Sequence, residues 1–180
     1  EAGTQLDTGY GFGTALTADD IEKSVSVNRD LKDFIRLNPM VSLDDAQENY
    51  EAISIAGAHP RTNDIRVDGV SFNDDFGLND NGYPAQRSPI SLNAIEQLAV
   101  KVAPASVEYS GFRGGVIEII TKSGSNEFKG EVFSYDRGDS LMGDESNGDE
   151  YNFDLEDTSE GFSFGGPIIK DKAFFYVTYE

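Results

Sequence analysis

The most abundant reactive groups in this chain are its 33 carboxylates, and their spacing selects no particular chemistry. Asp144, Asp149, Asp154 and Asp157 offer hard oxygen ligands for calcium. Their intervals do not match an EF-hand loop, and such a charge run is ordinarily a solvated loop. Any two of so many carboxylates can be imagined as a glycosidase pair, so their abundance argues against the assignment. No nucleophile paired with a base stands out. His59, beside Pro60, has no cysteines or second histidine with which to build a zinc site, and reads as a loop histidine. Gly9, Gly11 and Gly13 neither follow a convincing strand nor open a helix, and the third is too close for a dinucleotide loop. No cofactor is expected, the acidic loop being the one candidate place for calcium. A second polar cluster, Asp74, Asp75, Asn79, Asp80 and Asn81, followed by Tyr83, consists of residue types that favour loops.

The elements that must position these groups have to come from 180 residues, enough for one compact core with an appendage. With 38% hydrophobic residues the chain can bury a core. Its formal charge of −19 repels phosphate backbones, which excludes a nucleic-acid partner. The absence of cysteine excludes disulfides and thiol chemistry. No apolar run is long enough for a membrane helix, and Glu1 does not open a signal peptide, so if the protein is exported its signal is expected to lie outside this sequence.

Thr14 to Leu16 reads as a short edge strand. Thr17 with Asp20 reads as a capped helix start, because a hydroxyl can accept an amide that the first turn leaves unpaired, and a short helix is predicted through Ile21 to Val25. Leu31, Phe34 and Ile35 share one face of a predicted helix over 29–37, capped by Asn28 and stopped by Pro39. Predicted strands are 52–55, 64–67 with 70–72, 98–102 and 116–121, all rich in β-branched residues. A short helix capped by Ser91 is predicted through Glu96. Strands and helices thus mix over about the first 125 residues.

From Gly124 the texture changes. Residues 127–137, 161–169 and 173–180 read as consecutive antiparallel strands, with Lys170, Asp171 and Lys172 as the turn between the last two. In this reading Phe133 and Tyr135 face out while Val132 and Ser134 face in, as do Phe175, Val177 and Tyr179 against Phe174, Tyr176 and Thr178. The stretch 139–160 contains no lysine or arginine and reads as an acidic loop.

RDLKDFIRLNPMV (29–41) resembles the plug-domain helix of TonB-dependent receptors, ISIAG (53–57) the strand after it, and IRVDGV (65–70) the plug's Val-Asp-Gly turn. IEQLAVKVAPASVEYSGFRGGVIEIITKSGSNEFKG (95–130) resembles the plug's final helix and the strands that lead into the barrel. GGPIIKDKAFFYVTYE (165–180) resembles barrel strands of the Oar-like branch. The resemblance implies an α+β plug domain over 1–125, with a small mixed sheet and short helices and with 1–16 weakly specified. It further implies the first antiparallel strands of an incomplete outer-membrane β-barrel over 126–180, with an extracellular acidic loop at 139–160. A complete receptor closes about 22 strands, so this sequence is expected to be part of a longer chain. No TonB box is recognisable near Glu1.

The resemblance implies gating rather than enzymatic chemistry: a plug inside the barrel of a Gram-negative outer membrane, rearranged by TonB so that substrate passes. The implied partners are the chain's own barrel, TonB of the inner-membrane energy complex and a transported substrate. Asp74, Asp75, Asn79, Asp80, Asn81 and Tyr83 are then substrate-facing candidates. Asp68, Gly69, Glu108, Tyr109, Arg113, Gly114 and Gly115 are candidates for packing between plug and barrel. Two other classes stay open at this level: a secreted or periplasmic acidic module that binds calcium or a glycan, and a soluble hydrolase.

Overall fold

The computed structural model describes residues 12–24, 26, 29–47, 50–74, 76, 79, 83–85, 88–138, 145–146, 149–150 and 156–180. The chain divides into two compact units, Glu1–Lys122 and Ser123–Glu180.

In the first unit the strands are β1 (Phe12–Thr17), β2 (Val41–Gln47), β3 (Tyr50–Ile55), β4 (Asp64–Val67), β5 (Val70–Ser71), β6 (Ile95–Val102) and β7 (Gly115–Thr121), with helices α1 (Ala18–Lys23) and α2 (Lys32–Ile35). A five-stranded sheet runs β1-β6-β7-β4-β5, with β4 parallel to β7 and the other neighbours antiparallel. β2 and β3 pair separately. β1 lies at the sheet edge, as its short and weakly apolar sequence suggests.

Alternation along the central strands sends Leu98, Val100, Val102, Ile117, Ile119 and Ile65 into a core completed by Leu31, Phe34, Ile35, Ile53 and Ile55. Each such side chain contributes about 1.5–3 kcal/mol when taken fully out of water. The expected helix face of Leu31, Phe34 and Ile35 is therefore buried, but the helix is shorter than its pattern suggests. Arg29 has a φ of 49°, which no right-handed helix contains, and regular α-helix spans only Lys32–Ile35. Asp30 accepts the Lys32 amide at 2.9 Å, and Asn28, the expected cap, lies outside the described residues. Beyond Ile35 the turns tighten, Asn38 N donating to Ile35 O at 3.1 Å before Pro39.

Thr17 and Asp20 form the expected capping box, but α1 begins at Ala18 and ends at Lys23, earlier than predicted. Asp20 accepts from the Thr17 amide and then from its hydroxyl, and both bonds hold its pKa below the usual value. After Ser91, which accepts from the Asn93 amide, a single 3₁₀ turn over Leu92–Ala94 replaces the predicted helix through Glu96. Ile95–Val102 is a strand, not the plug's final helix that the resemblance implied: core-facing Leu98, Val100 and Val102 alternate with Gln97, Ala99 and Lys101. β2 had no counterpart in the sequence reading, because Asp44 and Asp45 weaken its strand signature.

The second unit contains β8 (Lys129–Gly138), β9 (Glu145–Ser146), β10 (Asp149–Glu150), β11 (Glu156–Ile169) and β12 (Ala173–Tyr179). β8, β11 and β12 form an antiparallel sheet in the order β12-β11-β8, and β9 pairs with β10 within the acidic stretch. The turn over Lys170–Lys172 is as expected, with Lys172 N donating to Ile169 O at 3.0 Å and Asp171 at a φ of 62°. A reciprocal pair joins Asn126 and Asp171: Asn126 Nδ2 donates to the carboxylate at 2.7 Å and the Asp171 amide donates back at 2.8 Å.

Candidate functional site

Asp68 and Gly69 link β4 to β5 with φ values of 50° and 81°, the two left-handed residues that a tight hairpin of this kind requires. The Asp68 carboxylate accepts from the Thr121 amide at 2.9 Å and from its hydroxyl at 2.8 Å. The Val-Asp-Gly turn is thereby fastened to the last residue of β7.

On the sheet face opposite the core, Arg66 of β4 stands opposite Glu118 of β7, and Lys101 of β6 lies diagonal to Glu118. Lys101 Nζ donates to Glu118 Oε2 at 2.7 Å and to the Tyr109 hydroxyl at 2.5 Å, and that hydroxyl donates to Glu118 Oε2 at 3.1 Å. The Tyr109 ring takes two cations, Arg66 at 5.0 Å and Lys101 at 4.9 Å from its centroid. Burial opposes the charged form of Lys101, but the hydrogen bonds to Glu118 and Tyr109 outweigh it and hold the pKa above the ordinary lysine value. Arg66 also donates to Asp64 at 2.6 Å and to the Glu108 carbonyl at 3.2 Å.

Asp64, buried at the start of β4, accepts in addition from Ser71 Oγ at 3.1 Å and Asn73 Nδ2 at 3.0 Å. Asn73 closes the group by accepting from the Ile65 amide at 2.8 Å. The sequence reading missed Asp64, Arg66, Lys101 and Glu118. Their one signal was a charge at alternating positions of otherwise apolar strands.

Of the substrate-facing candidates, Asp74 accepts from the Asn79 amide at 2.7 Å, and Phe76 between them in sequence is 88% exposed. Asp75, Asp80 and Asn81 lie outside the described residues. Tyr83 does not face outward: its ring is 0% exposed, it packs in the core beneath Lys32 Nζ at 5.1 Å, and its hydroxyl donates to Asp30 at 3.1 Å. A phenol can be buried because its one polar group finds a partner.

The packing candidates separate into two groups. Gly114 and Gly115 are buried within the first unit. A Cβ on Gly114 would stand 2.8 Å from Ile55 O, and one on Gly115 2.7 Å from Lys101 O. Arg113 and Glu108 are exposed, and Arg113 is held through its amide, which donates to Thr62 O at 2.8 Å. His59 caps the 3₁₀ turn over Pro60–Thr62, its Nδ1 accepting from the Arg61 amide at 3.3 Å. Of the acidic-loop carboxylates, Asp144 and Asp154 lie outside the described residues, while Asp149 is on β10 and Asp157 on β11.

In the second unit the register corrects the expected strand faces. Val132 pairs with Phe162 and Phe162 with Tyr179, so Val132 and Ser134 share a face with Phe175, Val177 and Tyr179. Phe133 and Tyr135 lie on the other face, with Tyr176 and Thr178. Toward the β8 start the first face is apolar and aromatic, with Phe128 stacked on Phe164 at 5.9 Å, Phe162 on Tyr179 at 6.1 Å and Val132 85% exposed, whereas Ser134, Asp136, Thr158 and Glu160 make its other end polar. The second carries Lys129, Glu131, Arg137, Ser159 and Ser163 among its aromatics. The apolar part of the first face suits hydrocarbon, and its polar end and the mixed second face suit water, a division compatible with a membrane barrel strand. Glycines fit this packing, because the Phe133 ring lies over Gly161 and the Phe128 ring over Gly166 where a Cβ would stand.

A small mixed sheet with polar turns, followed in the same chain by aromatic-rich antiparallel strands with an exposed apolar patch on one face, defines a plug leading into a membrane β-barrel. Residues 12–116 match the TonB-dependent receptor plug domain and residues 120–180 an outer membrane beta barrel domain, and the chain belongs to the TonB-dependent receptor plug family. Both assignments place it in the outer membrane of a Gram-negative bacterium.

The chain is 32% identical over 142 residues to the TonB-dependent transporter Oar of Myxococcus xanthus, a match covering 74% of this chain and 13% of that protein. It is 32% identical over 176 residues to the probable TonB-dependent siderophore receptor PirA of Acinetobacter baumannii, covering 88% of this chain and 21% of the receptor. The crystal structure of that receptor superimposes with a TM-score of 0.66 at 28% identity, over 89% of this chain and 23% of its own. The outer membrane transporter YddB of Escherichia coli shares the fold at a TM-score of 0.68 and 19% identity, over 87% of this chain and 24% of its own. The chain thus spans less than a quarter of the length of these relatives.

Proposed function

We propose that this chain is the gate of an outer-membrane transporter: the plug unit fills the lumen of the barrel whose first strands are β8, β11 and β12, and rearranges on coupling to TonB to let substrate pass. The observation that carries this reading is the continuity of the two units, with a plug domain over 12–116 and barrel strands from residue 120 in one chain. Its role is passage rather than catalysis and calls for no cofactor. The relatives named as siderophore receptors make ferric siderophores the first substrate class to test. Asp74, Asp75, Asn79, Asp80 and Asn81 are the residues proposed to face the substrate. Arg113 and Glu108, being exposed, are proposed to meet the barrel wall.

The test is removal of residues 12–122 from the full-length protein in its own outer membrane. Increased entry of a large hydrophilic antibiotic is expected, together with TonB-dependent uptake by the intact protein only. Unchanged permeability would overturn the gating role.

A further inference from the structure

Between β6 and β7 the chain makes an excursion over residues 104–113 whose ends meet: the Ala103 amide donates to Gly114 O at 3.3 Å, and Arg113 is fastened to Thr62. This is the geometry of an Ω-loop, a compact surface loop with closed ends. Residues 105–108, 110, 111 and 113 are exposed, and Val107 at the tip is 100% exposed. Pro104, Tyr109 and Phe112 are half-buried, and of these Tyr109 makes the polar contacts to the sheet. Left-handed backbone stands near either end of the loop, at Ala103 (φ 46°) and Gly111 (φ 81°).

We propose that residues 104–113 form a strap that closes over the charged face of the sheet, with Tyr109 as its latch. The charges beneath do not need the latch in order to be paired. Lys101 reaches Glu118 at 2.7 Å across β6 and β7, and Arg66 reaches Asp64 at 2.6 Å on β4. Lifting the strap removes two cation–π contacts, the Tyr109 hydroxyl bridge and the Arg66 bond to the Glu108 carbonyl but leaves no ion without a partner, so the large penalty for breaking a buried ion pair is avoided. A core aromatic is different: Tyr83, with its ring wholly enclosed, cannot leave without opening a cavity.

The two glycines that follow the strap define where its movement stops. Gly114 and Gly115 are packed against Ile55 so closely that a Cβ has no room, and the ladder from Gly115 to Thr121 is held on both sides by β6 and β4. Opening is therefore confined to residues 104–113 and exposes Arg66, Lys101 and Glu118 without breaking a strand. As a step in opening the plug this role rests on the gating reading; the movement of the strap itself does not.

Amide hydrogen exchange on the full-length protein in detergent separates the two. In Tyr109→Leu, exchange over residues 104–113 is expected to accelerate about tenfold while β6 and β7 keep wild-type protection. Tyr109→Phe retains the ring beside both cations and should show a smaller acceleration. Wild-type exchange across the strap in Tyr109→Leu would overturn the latch, and equal acceleration in the strap and in β6 and β7 would make Tyr109 an ordinary packing residue. No transport is measured, so failure of the gating reading would leave this result standing.

Discussion

Asp68 holds Thr121 at two points, its carboxylate accepting the threonine amide at 2.9 Å and the hydroxyl at 2.8 Å. A turn and the end of a strand far apart in sequence thus become one unit at the point where the plug sheet finishes. Asp68 is exposed and Thr121 half-buried, so each bond contributes toward the low end of the usual 0.5–1.5 kcal/mol. Asp68→Ala also places alanine in the left-handed region, a further cost of about 1 kcal/mol. We expect Asp68→Ala to destabilise the plug by about 2 kcal/mol and Asp68→Asn, which tolerates that backbone and keeps an acceptor, by less than half as much. Urea unfolding of the full-length protein in detergent measures both.

Lys101 and Glu118 should show strong coupling. Removing one partner leaves the other charge largely buried, which costs about 3 kcal/mol, whereas the double variant Lys101→Met with Glu118→Leu should recover much of that loss. A double-mutant cycle reads the coupling, and additive losses would show that the pair is independent. Because the folded pKa of Lys101 is raised, its contribution is fully present below the unfolded lysine value near 10.5 and is lost as pH rises through the folded value. Stability followed between pH 9 and pH 12 should fall less steeply in Lys101→Met than in wild type.

Gly114 and Gly111 separate crowding from backbone strain. A methyl group at Gly114 meets Ile55 O and Ala58 Cβ at 2.8 Å, whereas one at Gly111 meets nothing within 4 Å but must accept a φ of +81°. Gly114→Ala is expected to cost about 2–3 kcal/mol, and Gly111→Ala about 1 kcal/mol. Thermal unfolding that ranked them the other way would show that the neck of the strap yields more readily than its packing indicates.

Val132 and Glu131 are adjacent in sequence and lie on opposite faces of β8. Lysine on a lipid face costs up to about 2–4 kcal/mol at the bilayer midplane and less toward its edges. Val132→Lys should therefore reduce the heat-modifiable folded protein recovered from outer membranes, and Glu131→Lys should not. Loss confined to Glu131→Lys would invert the assignment of faces.

Much of this architecture is legible in short stretches of sequence. β-Branched runs mark β3, β4, β6 and β7. Thr17 and Asp20 announce a helix start, and Asp68-Gly69 a tight turn. Such signals act over a few residues, through amide capping, left-handed backbone and the alternation of side chains along a strand. They fail where two local tendencies compete: Ser91 caps a single 3₁₀ turn before Ile95–Val102 pairs on both edges, and Arg29 leaves the helical region although the apolar spacing around it is helical.

Most strand segments, the principal turns and the barrel-like alternation of the later part can thus be assigned from local sequence alone. The assignment of faces belongs to the tertiary structure. It set Val132 with Phe162 and Tyr179 against the expectation from aromatic content, buried Tyr83 beside Lys32, and brought Arg66, Lys101 and Glu118 beneath Tyr109. The reason is geometric: a strand's alternation has two equivalent phases, and the choice between them is made by register with a partner strand distant in sequence, where a shift of one residue exchanges every inward side chain for an outward one.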